Sequence, residues 1–337
     1  MNERSIGRRA WLRGGVATLG VLAASVGPQT TSAQTPSAQA WPQRQVTVVV
    51  PFTAGGTTDM FGRIFAQYMQ EKYGKPFVVE NKAGAGGTVG AASVAQATPD
   101  GHTLLVGTVS THGIAPFVYK RPNYDAEKSF QPVSLFARLP NLLVVNPKLP
   151  INTFPEFVAY VKANPGKLSY GSSGVGASNH LAGEMVQTLT GAKMTHVPYR
   201  SSGDIMNAIS GGHIDLAFDN MTLAWPTAEG GAVRAIAVTS KERSPTAPNV
   251  PAIAETVPGF DVPTWHGLFA PAGTPRAVVD QIAADVKRIY SQPDVIEKLK
   301  AVGAVAAPNT PDEFTAFASA ERTKYGEIVK AAGLTPQ

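Results

Sequence analysis

The 337-residue chain contains no cysteine. That excludes disulfides, thiolate metal sites, a cysteine nucleophile and a lipid anchor on an N-terminal cysteine. Charge is sparse, at 16% Asp, Glu, Lys and Arg against 43% hydrophobic residues, which is a globular composition rather than a disordered one. A basic stripe is missing. Four arginines against Glu3 place +3 of the formal +5 in the first forty residues. The remainder is nearly neutral, so nucleic acid is not an expected partner. A membrane-spanning run is missing too. The apolar, glycine-rich segment Gly14 to Gly27 falls short of the about 20 residues that cross a bilayer as a helix, and no later stretch is long and apolar enough.

Catalytic and cofactor motifs are also absent. Gly171-Ser172-Ser173-Gly174-Val175 approaches a nucleophile elbow, but G-x-S-x-G needs glycine where Val175 stands. Gly84-Ala85-Gly86-Gly87-Thr88-Val89 approaches the dinucleotide fingerprint and fails at Val89. There is no G-x-x-x-x-G-K-[ST] phosphate loop. The six histidines, at positions 102, 112, 180, 196, 213 and 266, form no H-E-x-x-H pair. No metal, cofactor or catalytic residue is therefore expected, and the chain reads as a non-enzyme. A constellation assembled in space, as in a periplasmic hydrolase, is the alternative that sequence leaves open.

What is present begins with an address. Arg8-Arg9 precede the short apolar run, and Ala38-Gln39-Ala40 is an A-x-A cleavage signature. Residues 1–40 thus read as an export signal of the twin-arginine type, with ordinary Sec export and a cut after Ala33 as alternatives. The mature chain is expected to be soluble in the periplasm.

After the address, strand, loop and helix alternate. Val46 to Val50 is a β-branched run of the kind buried on both faces. The loop Thr53 to Thr58 follows, and then Met60, Phe61, Ile64, Phe65, Tyr68 and Met69 recur with the helical period. Strands are expected again at Phe77 to Glu80, Thr103 to Gly107, Leu142 to Asn146, Ser169 to Gly171, Thr195 to Tyr199, Ile214 to Phe218 and Arg234 to Thr239. Three helices close the chain after Pro275, Pro293 and Pro311. The pattern predicts an α/β fold built on parallel sheets covered on both faces. Three loops rich in Gly, Ser and Thr follow strand ends and open helices: Thr53 to Thr58, Ser172 to Ser178, and Tyr199 to Gly203. Helix N-termini favour anions, and ligands of open α/β sheets gather beyond the strand carboxyl ends. Gly55, Gly56, Gly174 and Gly176, lacking Cβ atoms, let the main chain approach such an anion. Arg200 is the side chain suited to grip a carboxylate with two hydrogen bonds.

The same segments carry a family resemblance. Pro51-Phe52-Thr53-Ala54-Gly55-Gly56-Thr57-Thr58-Asp59, Val79 to Gly87, Pro99-Asp100-Gly101-His102-Thr103-Leu104-Leu105, Ser173 to Ser178 with His180-Leu181, His196-Val197-Pro198-Tyr199-Arg200, Gly211 to Asp215 and Phe269 to Pro275 occur in this order along nearly the whole mature chain. The chain resembles the Bug-type receptors of tripartite tricarboxylate transporters.

The resemblance implies a two-lobed periplasmic-binding-protein fold, the type II Venus flytrap, with two interlobe crossings. One lobe would comprise 41–142 and 265–337, the other 143–264. It also implies a monomer that captures a small carboxylate between the lobes and delivers it to membrane permease subunits. A sensor feeding a signalling receptor is the alternative role. Family carboxylate loops fall here on Phe52, Thr53, Gly55, Gly56 and Thr57, and on Ser173, Gly176, Ala177 and Ser178. Asp59 matches the family's Asp after the double glycine, as a helix cap or a contact to a ligand amine or hydroxyl. Thr108, Ser110, Tyr199, Arg200 and Asp219 complete the candidate site. Gly113 and Ala115, with the loop Arg200 to Asp204, depart from the commonest family forms and leave the ligand's variable part open.

Overall fold

The computed structural model describes residues 41–336. The segment expected to be an export signal, with Arg8, Arg9 and Ala38 to Ala40, lies outside the described residues. In chain order the elements are β1 (Val46–Val50), α1 (Thr57–Tyr73), β2 (Phe77–Asn81), α2 (Thr88–Ala95), β3 (Thr103–Thr108), α3 (Ala115–Val118), β4 (Phe130–Leu139), β5 (Asn141–Val145), α4 (Phe154–Ala163), β6 (Ser169–Ser172) and α5 (Ser178–Thr190). They continue with β7 (Thr195–Pro198), α6 (Ser202–Ser210), β8 (Leu216–Asn220), α7 (Met221–Glu229), β9 (Arg234–Val238), β10 (Thr264–Pro271), α8 (Arg276–Tyr290), α9 (Pro293–Ala301), β11 (Val305–Ala306) and α10 (Pro311–Ala331).

Two sheets organise them, one ordered β11-β4-β10-β3-β1-β2 and the other β7-β6-β8-β5-β9. Each is the floor of one lobe. The expectation of parallel sheets needs correction, because both are mixed. β1 pairs parallel with β2 and β3, but β10 runs antiparallel between β3 and β4. In the second sheet β6 is parallel to β7 and β8, while β5 is antiparallel to β8 and β9. The parallel pairs come from the strand–helix–strand units. β5 and β10, each the first strand after the chain changes sheets, run the other way, as does the short β11. β4 and β10 were not read from sequence. Pro132 interrupts β4, and β10 carries His266 and Gly267 at a register shift, so neither shows clean alternation.

The valine run of β1 is buried on both faces. Val46, Val48 and Val50 pack with Phe61, Phe65 and Met69 of α1 and with Val279, Ile282 and Val286 of α8. Val49 points the other way, into a cluster with Ala91, Val94 and Leu105. α1 lies so close to the sheet that a Cβ at Gly62 would sit 2.8 Å from Val50 Cγ2. Gly74, at φ 62°, ends the helix and donates to Gln70 O at 2.9 Å. β5 repeats the design, with Leu143 and Val145 in one cluster and Leu142 and Val144 in another.

The chain leaves the first sheet at Leu139, passes Pro140 and enters the second at Asn141. It returns between β9 and β10. The two crossings lie side by side, with Leu139 paired to Thr264. Thr239 laces them together. It exchanges main-chain and side-chain hydrogen bonds of 2.9 Å with Asn141 on one side and Val262 on the other. No described helix is long and apolar enough to cross a membrane.

A candidate ligand-binding cleft

The loop after β1 is held by a buried carboxylate. Asp59, in the first turn of α1, accepts from Gly55 N–H at 2.9 Å, Arg63 Nε at 2.8 Å and Asn81 Nδ2 at 3.0 Å. Asn81 Nδ2 also donates to Phe52 O at 3.0 Å. Burial on its own would raise the Asp59 carboxyl, but these three hydrogen bonds and the Arg63 charge outweigh it and hold the group below its ordinary value. Gly55 needs its glycine, at φ 81°. Gly56 is the N-cap residue of α1 and supplies no side-chain cap, so the first N–H groups of the helix have no intrahelical acceptor.

The loop after β6 is built differently. Gly174 and Gly176 take φ of 110° and 77°, and Ala177 is an N-cap without a side-chain hydrogen bond. Asn179 organises the turn. Its Oδ1 accepts from Ser173 N and His180 N, and its Nδ2 donates to Ser173 Oγ and to Asp219 Oδ1. Asp219 Oδ1 also accepts from Ser202 Oγ at 3.0 Å. Asp219 is fully buried, and burial pushes its carboxyl up. It sits behind the cleft and orients two side chains that face it.

The lobes touch across the cleft. Ser178 N, the first N–H of α5, donates to Ser110 Oγ at 3.1 Å. Thr53 Oγ1 donates to Arg200 O at 2.8 Å, Thr57 and Thr222 join through their hydroxyls, and Tyr119 donates to Val175 O at 2.6 Å. Inside these contacts lies a small cavity at the carboxyl ends of both sets of strands. Phe52, Thr53, Gly56, Thr57, Thr58, Thr108 and Ser110 wall it from the first lobe. Ser173, Ala177, Ser178, Asn179, Arg200, Ser201, Ser202 and Asn220 wall it from the second, and Thr264 and His266 of β10 form its floor. Hydroxyls dominate, and no carboxylate is among the described lining residues. His266 is neutral, because burial pushes its imidazole down to about 3. Its Nε2 pairs with Thr58 Oγ1 at 3.1 Å.

A serine–histidine pair lies nearby, with Ser172 Oγ 2.5 Å from His196 Nε2. Ser172 is fully buried and lies outside the cavity lining. Its hydroxyl instead accepts from Gly174 N–H at 3.1 Å and so shapes the loop.

Two lobes, a cleft between them and loops built to face an anion describe a binding protein, and comparison with known families agrees. The family described as tripartite tricarboxylate transporter family receptor matches residues 61–334. The chain belongs to this family. Three solved structures place the receptor further. It is 36% identical to the R. palustris protein Rpa4515 with adipate, at a TM-score of 0.86, covering 88% of this chain and all of that one. It is 37% identical to the periplasmic binding protein BugD, at a TM-score of 0.84 and the same coverage. MatC from Rhodopseudomonas palustris with bound malate is 36% identical at a TM-score of 0.82, covering 86% of this chain and 99% of that one. The receptor is therefore a Bug-type solute-binding protein with the two-lobed fold.

Of the residues singled out by sequence, ten line the receptor's cavity: Phe52, Thr53, Gly56, Thr57, Thr108, Ser110, Ser173, Ala177, Ser178 and Arg200. Five do not. Gly55 and Asp59 form the clamp of the first loop, and Asp219 supports the second. Tyr199 lines an adjoining cavity. Gly176 faces the other lobe, where an added Cβ would meet Val118 Cγ2 at 2.7 Å, so interlobe contact explains its glycine. Thr58, Asn179, Ser201, Ser202, Asn220, Thr264 and His266 line the cavity and were not singled out. Thr58, Ser201 and Ser202 fall within loops already marked by composition. Asn220 ends β8, where the rule of strand carboxyl ends points. Thr264 and His266 had no signal, because their strand was unread.

Proposed function

We propose that this receptor closes its cleft on a small carboxylate in the periplasm and delivers it to the membrane permease subunits of a tripartite tricarboxylate transporter. One observation carries the reading: the cavity is walled by hydroxyls and by the N-terminal ends of α1 and α5, whose N-cap residues supply no side-chain cap, without an acidic side chain among the described lining residues. Such helix ends present N–H donors and a positive dipole end to an anion. The ten lining residues predicted from sequence make the contacts, and Asp59 and Asp219 hold the two loops in shape. The lobes move as bodies bounded near residues 142 and 264. The receptor acts as a monomer, after residues 1–40 have directed export and been removed.

The ligand leaves unchanged. The serine–histidine pair Ser172 and His196 lies outside the cavity lining. Calorimetric and thermal-shift titration with adipate, malate and other small carboxylates tests the reading. A ligand that binds only the folded chain stabilises it by about 4 kcal/mol at ~1,000 times its Kd, which raises the melting midpoint by several degrees. Chromatography should recover the ligand intact. Failure of every carboxylate to bind or stabilise the protein, or the appearance of a new product, would overturn the proposal.

A further inference from the structure

Behind the second anion loop lies a group of polar side chains outside the lining of the ligand cavity. His180 of α5 and His196 of β7 bring their rings within 4.4 Å of each other. Tyr170 of β6 packs on both, its ring 5.0 Å from His196 and 6.5 Å from His180. Glu184 follows one turn along α5. Burial keeps the Tyr170 phenol protonated, and it donates to Glu184 Oε1, which also accepts from Gln187 Nε2 at 2.9 Å. Tyr119 of the facing lobe reaches the same loop at Val175 O.

Hydrogen bonds fix which nitrogen of each ring carries a proton. Gly176 N–H donates to His180 Nδ1 at 3.4 Å. The His180 proton is therefore on Nε2, which faces Glu184 Oε1 at 3.9 Å. Gly174 N–H donates to Ser172 Oγ, which leaves the serine hydroxyl to donate to His196 Nε2 at 2.5 Å. Both rings thus serve one loop as acceptors. An added proton affects them unequally. At His196 the serine hydroxyl can turn to Gly174 O, 3.3 Å away, and accept from the imidazolium instead. A main-chain N–H cannot turn in this way. Protonated Nδ1 of His180 would set donor against donor, in a buried site beside a second imidazole.

Gly176 links this brace to the solute. Its loop supplies Ser173, Ala177 and Ser178 to the cavity wall. We propose that His180 is a positioning residue for solute binding: its unprotonated Nδ1 holds Gly176 and with it the 173–178 loop, and protonation there releases both loop and solute. The inference rests on the cleft's being a carboxylate site. The brace itself lies within one lobe and responds to protons without a solute.

Three proteins test it: the wild type; His180→Asn, whose Oδ1 takes the place of Nδ1 and does not titrate; and His180→Leu, which offers no acceptor. Unliganded melting curves at each pH verify folding. In calorimetric titrations with adipate and malate at pH 7, His180→Leu should bind about five- to tenfold more weakly than the wild type, the effect of one N–H left without its partner. His180→Asn should recover most of that loss. Towards pH 4 the solutes' own carboxyls titrate equally for every protein, so the ratio of wild-type to His180→Asn affinity isolates the histidine. The protonated form is the weak binder, and burial pushes His180 down to about 4. The ratio should therefore fall about twofold near pH 4 relative to pH 7, and further below it. In unliganded protein the Gly176 amide resonance should titrate in the wild type and stay flat in His180→Asn. An asparagine variant as weak as the leucine one, a ratio independent of pH, or a Gly176 amide that titrates alike in both would overturn the inference. If His180→Leu does not fold, the ratio and the amide titration still decide. If neither solute binds the wild type at pH 7, the carboxylate reading fails and solute release with it, while the amide titration still decides the brace.

Discussion

The hydroxyl of Tyr119, just past α3, donates a 2.6 Å hydrogen bond to the carbonyl of Val175 in the opposite lobe. Neither residue lines the ligand cavity. The bond joins the two lobes, so if the cleft opens as proposed it would favour closure without touching the solute. Tyr119→Phe removes it and little else. A net loss of about 1 kcal/mol lowers the closed-to-open ratio about fivefold, and apparent affinity falls by up to the same factor. Titration with one fixed carboxylate should record that drop, with a faster dissociation rate in stopped flow. Unaltered affinity and off-rate would show that the bond does not contribute to closure.

Asp59 restrains the first anion loop through Gly55, Arg63 and Asn81. Asp59→Ala strands these donors, at a cost of about 1–3 kcal/mol for a buried group left without its partner. Lower thermal stability and weaker carboxylate binding should appear together. The pH sense follows from the lowered carboxyl. Its contribution is complete above the ordinary Asp value of about 4 and is lost as pH falls through the lower folded value. The stability difference between the wild type and Asp59→Ala should therefore be complete at neutral pH and shrink as pH falls below about 4.

Four histidines are held neutral by burial. His112 and His266 are pushed down to about 3, and His180 and His196 to about 4. In the unfolded chain each protonates near ~6.5. Between these values the unfolded chain binds more protons, so stability rises with pH and declines as pH falls from about 6.5 towards 4. For a fully buried histidine the decline is up to ~1.4 kcal/mol per pH unit. Melting midpoints should drop between pH 7 and pH 5, and His266→Gln should flatten that slope. A variant with the wild-type slope would show that His266 is not held neutral.

Two glycines of the paired loops should respond differently to alanine. Gly56 has an ordinary φ of −88°, and an added Cβ would find only Thr53 O, at 3.7 Å. Gly176 combines φ 77° with a Cβ 2.7 Å from Val118 Cγ2 in the facing lobe. Gly56→Ala should fold and bind nearly as the wild type does. Gly176→Ala should cost about 1–2 kcal/mol from the left-handed backbone alone, with a further loss of affinity as the lobes are kept apart. Equal affinities for the two variants would count against the close interlobe fit.

The loops of the site were legible because their chemistry is local. Glycines with positive φ, hydroxyls at helix starts and valine runs before them all leave marks within a few residues, as at Val46 to Thr58 and Ser169 to Ser178. The floor was not legible. Thr264 and His266 sit on β10, whose burial on every side erases the two-residue alternation that marks a half-exposed strand. Asp59 and Asp219 were visible as residues but not in their roles. Whether a carboxylate faces a ligand or braces a loop depends on partners such as Asn81 and Ser202, which lie 22 and 17 positions away.

Leu139 and Thr264 are ladder partners at the end of the β4–β10 pair, and Thr239 ties the two crossings together, through Asn141 and Val262, as they meet the second lobe. Such a ribbon is stiff against sliding and compliant in bending. Lengthwise slip would break several hydrogen bonds at once, whereas a shared bend spreads over many soft dihedrals and breaks none. If the lobes move as proposed, they would swing like the covers of a book, with the spine keeping their edges level. Each closing stroke would then return Ser110 to Ser178 and Thr53 to Arg200 in the alignment seen here, however many solutes had been loaded and released before.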